Sequence, residues 1–378
     1  MAGLPVSQAL HEMNLSDTLV STLGNRATGR MARWAVPLYS KKQINNAGKK
    51  FIEGIGDDII GYLDALDKIN NWRSIHGYPL NTFQTTLRIK GRQVDPHVLV
   101  AQRIKRLSSI ELKLQRFPTM TLSQMQDIGG CRAILSSAEA VQDLVRSYQK
   151  SDLKHKLHTT DDYMSKPKST GYRGVHLIYS YFSDKVDTYN SLKIEMQLRS
   201  SFMHAWATAV EIVGTFTRQA LKSSQGEEDW LRFFALMGSA IAGMEGTAPV
   251  EGTPTDKGEL VSEIRDLEQK LDAIRRLRTY GTAPTILENP EVKGQHFFLL
   301  ELNVAESKLA VTGYKSGSLD KAAADYLEAE KRFSSAQNGD AVLVSVESLA
   351  SLRRAYPNYF LDTNMFVGLV EDAVAGHF

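Results

Sequence analysis

The order of periodic segments predicts an α+β protein, a mixed β-sheet flanked by helices, followed by a smaller C-terminal α+β unit. Three observations predict it. Helix-period and strand-period runs alternate through residues 1–242; a Gly-, Pro- and Thr-rich break occupies 243–258; and a strand, strand, helix, strand pattern follows within 259–378. The break, "GMEGTAPVEGTPTDKG", reads as a linker.

Within the first part, "FIEGIGDDIIGYLDALDKINNW" places Phe51, Ile55, Ile59, Leu63, Leu66 and Ile69 at helical spacing, which predicts one amphipathic helix over 51–72. "DPHVLVAQRIKRLSSIELKLQRF" predicts a basic helix running to about Arg116, with Arg103 and Lys113 near one face. "MQDIGGCRAIL" reads as a turn entering a strand that ends near Ser136, and "AEAVQDLVRSYQK" as a helix. "GVHLIYSYF" and "LKIEMQLRS" are strands, the second alternating Ile194, Met196 and Leu198 with Glu195, Gln197 and Arg199. "FMHAWATAVEIV" is a helix. Beyond the break, Leu260, Ile264, Leu267, Leu271 and Ile274 mark a charged helix. Strands "HFFLLELN" and "KLAVTGY", helix "LDKAAADYLEAEKRF", strand "AVLVSV" and a tail containing "RRAYPNYFLDT" complete the chain.

With 378 residues and 42% hydrophobic content, both parts can bury a core. The first twenty residues lack a basic start with an apolar run behind it, so a cytoplasmic protein with no membrane partner is expected. The single cysteine, Cys131, excludes an internal disulfide and a Cys-rich zinc site. The net charge of +2 is uninformative, but the cations cluster: Arg88, Lys90, Arg92, Arg103, Lys105, Arg106, Lys113 and Arg116 face only Asp95 and Glu111 in that stretch. Such an excess attracts polyanions or forms a solvated helix face. "GNRATGRM" at Gly24–Met31 has the glycine spacing of a phosphate loop but puts Arg30 and Met31 where Lys and Ser or Thr are needed, so that reading is rejected.

Four segments remain that carry chemistry together. "RIKRLSSIELKL" offers Arg103, Lys105 and Lys113, and "QDIGGCRAI" offers Asp127 and Arg132. "SKPKSTGYRGVHL" offers Lys166, Lys168, Tyr172 and Arg173, the last two between glycines. "EMQLRSSFMHAWATAVE" offers Glu195, Gln197, Arg199, His204 and Glu211. Taken singly, each has a structural explanation: a turn cap for Asp127, a packed loop ring for Tyr172, a satisfied helix histidine for His204.

Asp-Ile-Gly-Gly-x-Arg, Lys-Ser-x-Gly-Tyr-Arg-Gly-x-His, and Glu-x-Gln-Leu-Arg followed by His-Ala-Trp-Ala-x-x-x-Glu resemble the RelA/SpoT synthetase domain over about residues 50–240. The resemblance implies a nucleotidyltransferase-like fold and an ATP-dependent pyrophosphokinase. Arg103 and Arg132 would sandwich adenine, with Lys105, Ser109 and Lys113 along the triphosphate. Asp127 and Glu195 would hold Mg2+, Glu195 also serving as base, while Gln197 orients the ribose. Tyr172 would stack on the acceptor base, with Lys168, Arg173 and His204 beside it, and the glycines flanking Tyr172 and Arg173 would clear space for a nucleotide.

The stretch "EIVGTFTRQALKSSQGEEDWLRFF" looks like the toxic small-synthetase branch, which modifies the CCA end of tRNA. Arg88, Lys90, Arg116, Arg218 and Lys222 are then the expected tRNA phosphate contacts, and no DNA partner is expected. The tail resembles that of CapRel-type fused toxin-antitoxin proteins, in which a Tyr-x-x-Tyr motif covers the ATP site; Tyr356 and Tyr359 fit it. That resemblance further implies release by a phage protein such as a major capsid protein. Two alternatives stay open: an alarmone synthetase acting on GDP or GTP, and a non-catalytic nucleotide- or RNA-binding module.

Overall fold

The computed structural model describes residues 34–217, 228–281, 285–288, 295–303, 306, 308–335, 339–346 and 349–378. Gly24–Met31, Arg218 and Lys222 lie outside the described residues. In chain order the elements are α1 (Lys41–Glu53), α2 (Ile59–Ser74), α3 (Gly77–Val94), β1 (Leu99–Ile104), α4 (Leu107–Arg116), β2 (Gly129–Leu135), α5 (Ala138–Gln149), β3 (Lys156–Asp162), β4 (Val175–Ser180), β5 (Lys193–Ser200), α6 (Ser201–Thr217) and α7 (Glu228–Met244). They continue as α8 (Lys257–Leu271), α9 (Ala273–Tyr280), β6 (Thr285–Glu288), β7 (Phe297–Asn303), β8 (Lys308–Tyr314), α10 (Leu319–Ser335), β9 (Gly339–Ser345), α11 (Leu349–Ala355) and α12 (Asn364–Ala375).

The expected α+β class holds, and the strands form one mixed sheet in the order β3-β4-β5-β2-β1-β9-β7-β8-β6. β2 runs parallel to β5 and β6 to β8, the other neighbours being antiparallel. Two expectations are corrected. The single helix over 51–72 is two, because Gly54 (φ 80°) and Gly56 (φ 46°) turn the chain in a region closed to most residues, and the Asp58 carboxylate then caps α2 at Gly61. The basic helix reaching Arg116 begins only at Leu107: residues 99–104 are β1, whose alternation sends Val100 to one side of the sheet and Leu99 and Ala101 to the other. Arg103 and Lys113 therefore sit on different elements rather than one helix face.

Four apolar cores hold the described residues together, the smallest of them packing Ala322, Tyr326 and Ala329 of α10 on Leu299 and Ala341. Behind the sheet, α1, α2, α3 and α5 pack on residues such as Val100, Cys131, Ala133 and Met196. α6 and α7 pack against α8, α9 and α12, burying Trp230, Phe233, Phe234 and Phe366 to 2% exposure or less. The third core joins Leu99, Ala101 and Ile134 to Phe298, Val342, Val344, Tyr356 and Tyr359. The stretch read as a linker does not separate two cores. Val250 within it is buried and its amide donates to Ser239 Oγ (2.9 Å), while C-terminal helices and strands complete the second and third cores. The joint inside the sheet is short, in the register Gln102↔Ser345 and Arg103↔Val344. No helix among the described residues is long and apolar enough to cross a membrane.

Because α12 fills the core of α6 and α7, Phe366→Ala is expected to lower unfolding stability by about 3–5 kcal/mol, measured by urea denaturation, although Phe366 lies far along the chain from those helices.

Candidate active site

Period-two alternation across four strands assembles the site. Arg103 on β1 registers with Gly130 on β2, and Gly130 with Glu195 on β5. In the next row Ala101 registers with Arg132, Arg132 with Gln197, and Gln197 with His176 on β4. Side chains of one row point the same way, so Arg103, Arg132, Glu195, Gln197 and His176 share the face that carries α6 and α11. At Gly130 an added Cβ would meet nothing nearer than Glu195 O at 3.9 Å, leaving a gap between the guanidinium of Arg103 and the carboxylate of Glu195.

The cleft is lined by Ala101, Arg103, Lys105, Asp127, Gly130, Cys131, Arg132, Glu195, Gln197 and Tyr356. Lys105 Nζ (2.7 Å) and Lys113 Nζ (2.9 Å) both donate to the Asp127 carboxylate, and Ser109 stands in the first turn of α4. Burial would raise Asp127, but the two lysines hold it below the usual carboxylate range. Glu195 accepts from Gln197 Nε2 (2.7 Å) and pairs with His176 Nδ1 (3.0 Å). Burial opposes its ionisation, yet His176 and Gln197 hold it down at about 2. Arg132 is drawn down to about 10 by burial and by Arg199 and Arg103, with Glu211 on α6 partly offsetting that crowding.

Tyr172 is not a bare platform in this conformation. Its hydroxyl lies 2.5 Å from His176 Nε2 and accepts from Arg199 Nη2 (2.8 Å). Burial would raise the phenol, but Arg199 and His176 draw it down to about 7; burial would lower His176, but Tyr172 and Glu195 lift it to about 9. Lys168 Nζ and Arg199 Cζ lie 5.3 and 5.0 Å from its ring centroid. The flanking glycines serve packing rather than nucleotide clearance. Gly171 (φ 94°) has Phe234 O 2.4 Å from where a Cβ would stand, and Gly174 (φ 141°) has Leu198 O at 3.1 Å. Arg173 is withdrawn as an acceptor ligand: it is 2% exposed, and its guanidinium holds the carbonyls of Ala248 and Met164 and the Thr247 hydroxyl.

The tail enters the cleft. Tyr356 is 4% exposed and donates its hydroxyl to Gln102 O (3.2 Å), while Arg132 Nη1 donates to Ala355 O (3.4 Å). His204 donates Nε2–H to Arg354 O (3.2 Å), so it meets the tail rather than an acceptor; burial, with Arg132 and Arg199 nearby, keeps it neutral. Tyr359 points elsewhere, donating to Asp340 (2.8 Å) and accepting from Arg106 (3.2 Å). With Tyr356 in place, about 30 Å3 of the cleft is free, enough for water and far below the roughly 300 Å3 of the smallest usual ligand pocket.

Of the expected tRNA contacts, Lys90 is committed behind the sheet, bonded to Ser147 and Ser151 and lying over the Tyr148 ring. Arg88 shares its helix, and Arg116 ends α4 over the Phe117 ring. Missed by the sequence reading as a site residue was His176, whose signal was its place in strand alternation opposite Gln197.

Residues 102–213, which hold every cleft residue but Ala101 and Tyr356, match the family model described as a region found in RelA / SpoT proteins. Over those residues the chain is similar to RelA / SpoT proteins. Among its relatives are two proteins of Bacillus subtilis (strain 168). GTP pyrophosphokinase YjbM is 30% identical over 115 residues, 30% of this chain and 54% of that protein. GTP pyrophosphokinase YwaC is 29% identical over 166 residues, 42% of this chain and 74% of that protein. The chain therefore spans about half the length of the first. Solved structures with similarity include small alarmone synthetase 2 of Bacillus subtilis, at 20% identity and TM-score 0.40, covering 47% of this chain and 94% of that one. Small alarmone synthetase 1 of the same organism, bound to its product pppGpp, has 21% identity and TM-score 0.39, covering 46% and 93%.

Glu195, lowered from 4.5 to about 2, contributes stability that is present above pH 4.5 and lost as pH falls through 2. In metal-chelated buffer, wild-type unfolding stability is expected to fall by a few kcal/mol across that window. Glu195→Gln should show a shallower fall by urea titration at each pH.

Proposed function

We propose that the chain is an autoinhibited pyrophosphokinase that transfers pyrophosphate from ATP to the 3′-hydroxyl of the tRNA CCA end and so blocks translation. One observation carries the reading: two guanidiniums, a lysine-bound aspartate and a hydrogen-bonded glutamate converge on one cleft, and the chain's own Tyr356 fills it. Arg103 and Arg132 would flank adenine, and Lys105, Ser109 and Lys113 would lie along the triphosphate, as positioning and charge neutralisation require for phosphoryl transfer. Glu195, ionised and oriented by Gln197 and His176, would take the acceptor hydroxyl proton. The acceptor oxygen then bonds to the β-phosphorus as the bond from that phosphorus to the bridging oxygen breaks and AMP leaves.

Asp127 and Glu195 suit a hard divalent cation: the Glu195 charge works against ionisation of Asp127, a repulsion that a cation relieves. When bound, Mg2+ would supply neutralisation of phosphate charge. Lys168 and Tyr172 continue the cleft toward an acceptor base, once Tyr172 is freed from Arg199.

The tail gives the resting state. A phage protein such as a major capsid protein, binding the C-terminal unit more tightly when Tyr356 is out than in, would shift the population; a near-complete switch needs about 5.5 kcal/mol of preference. A second acceptor, GDP or GTP, is supported by the two Bacillus subtilis relatives, both named GTP pyrophosphokinase.

The test uses ATP labelled at the γ-phosphate with deacylated tRNA, GDP or GTP. Since removing the C-terminal part would strip β9 and α12 from shared cores, point variants are preferred to truncation. Tyr356→Ala is expected to label tRNA and arrest growth on expression, and adding Glu195→Gln should cut transfer by roughly 10²–10⁴-fold and restore growth. Label on guanosine nucleotide instead identifies the second acceptor. No transfer by Tyr356→Ala, folded by circular dichroism, overturns the enzyme reading.

A further inference from the structure

From the end of β1 into α4, residues 105–107 are held one after another, Lys105 by Arg73 on α2, and Arg106 and Leu107 by the C-terminal unit. Arg73 on α2 donates Nε to Lys105 O (2.9 Å) and pairs through Nη1 with Glu330 Oε2 on α10 (3.0 Å). The two side chains are 4% and 8% exposed, so this is a buried ion pair between α2 and α10, joining the N-terminal helical layer to the C-terminal unit. Glu330 Oε1 also accepts from Leu107 N (2.9 Å), in the first turn of a helix that lacks a side-chain cap of its own. Tyr326 donates to the same oxygen (2.7 Å). Between them, Arg106 is bonded to Asp340 and Tyr359.

We infer that Glu330 is an intramolecular stand-in for a phosphate group, holding with its carboxylate a polyphosphate position built from Arg73 and the first turn of α4. The inference rests on the reading of the cleft as a nucleoside triphosphate site. A carboxylate on a guanidinium and a helix-start amide has the charge and hydrogen-bond pattern that a phosphate would have. The ligand class follows from the chain itself, because Lys105 precedes this turn, Ser109 lies in it, and Lys113 follows one turn on. When α10 lifts, guanidinium and amide are uncovered together beside those residues. Triphosphate and C-terminal unit then compete for one set of cations, and by reciprocity each weakens the other. Tyr356 blocks the base end of the cleft; Glu330 blocks its phosphate end.

Calorimetry on the full chain tests this with two probes, inorganic tripolyphosphate and α,β-methylene ATP. Glu330→Gln keeps the side-chain size and is expected to bind tripolyphosphate roughly tenfold more tightly than wild type, with a larger rise in melting temperature on its addition. Arg73→Gln in that background should abolish the gain. Wild-type affinity in Glu330→Gln, or a gain that survives Arg73→Gln, overturns the inference. If Tyr356→Ala binds α,β-methylene ATP while Glu330→Gln gains nothing for either probe, the inference falls and the donor-site reading stands. If neither variant binds either probe, both fall.

Discussion

The register of β1 against β2 and of β2 against β5 is the constraint on which the rest of the molecule depends. It sets Arg103, Gly130 and Glu195 in one row and Arg132, Gln197 and His176 in the next. A slip of one residue would turn every one of these side chains to the opposite face, into the apolar layer of α3 and α5. Stability and chemistry are therefore specified by the same pairing: Cys131, Ala133 and Met196 anchor the buried face and thereby aim their neighbours at the cleft. Gly130 is the one position in its row without a side chain, and the gap it leaves lies between a cation and an anion.

Much of this was legible in the sequence, for identifiable reasons. The alternation of Glu195, Gln197 and Arg199 with Ile194, Met196 and Leu198 declared a strand and its polar face, and the structure keeps both. β1 was misread because "LVAQRIKRL" is short and runs straight into a true helix, so helical spacing absorbs it. The glycines around Tyr172 were recognised as special but for the wrong neighbour; the backbone that approaches Gly171 is α7, 60-odd residues later, and the one that approaches Gly174 is β5, which no local pattern reveals. Arg173 shows the same limit. A cation in a loop reads as a ligand until the carbonyls it holds, at Ala248 and Met164, are brought to it by folding.

The contacts between Arg73 and Glu330 had no sequence signal at all, since 257 residues separate them and neither lies in a motif. They belong to the aspect of the fold that the composition break concealed. A Gly- and Pro-rich stretch suggested two bodies on a tether, yet α12 returns to the core of α6 and α7, and the tail lies in the cleft. The division that matters lies elsewhere, at the short pairing of β1 with β9 and the contacts of α10 and α11 around it.

That pairing has a consequence for any state in which the C-terminal unit moves away. β1 would then be the last strand of its sheet, and the backbone donors and acceptors of Gln102 and Arg103 now shared with Ser345 and Val344 would stand open. An open strand edge recruits other strands without regard to their sequence. Such an open form would accordingly be an adhesive one, prone to pair with copies of itself unless something lay along that edge, and whatever held the molecule open would gain by covering the strand it exposed.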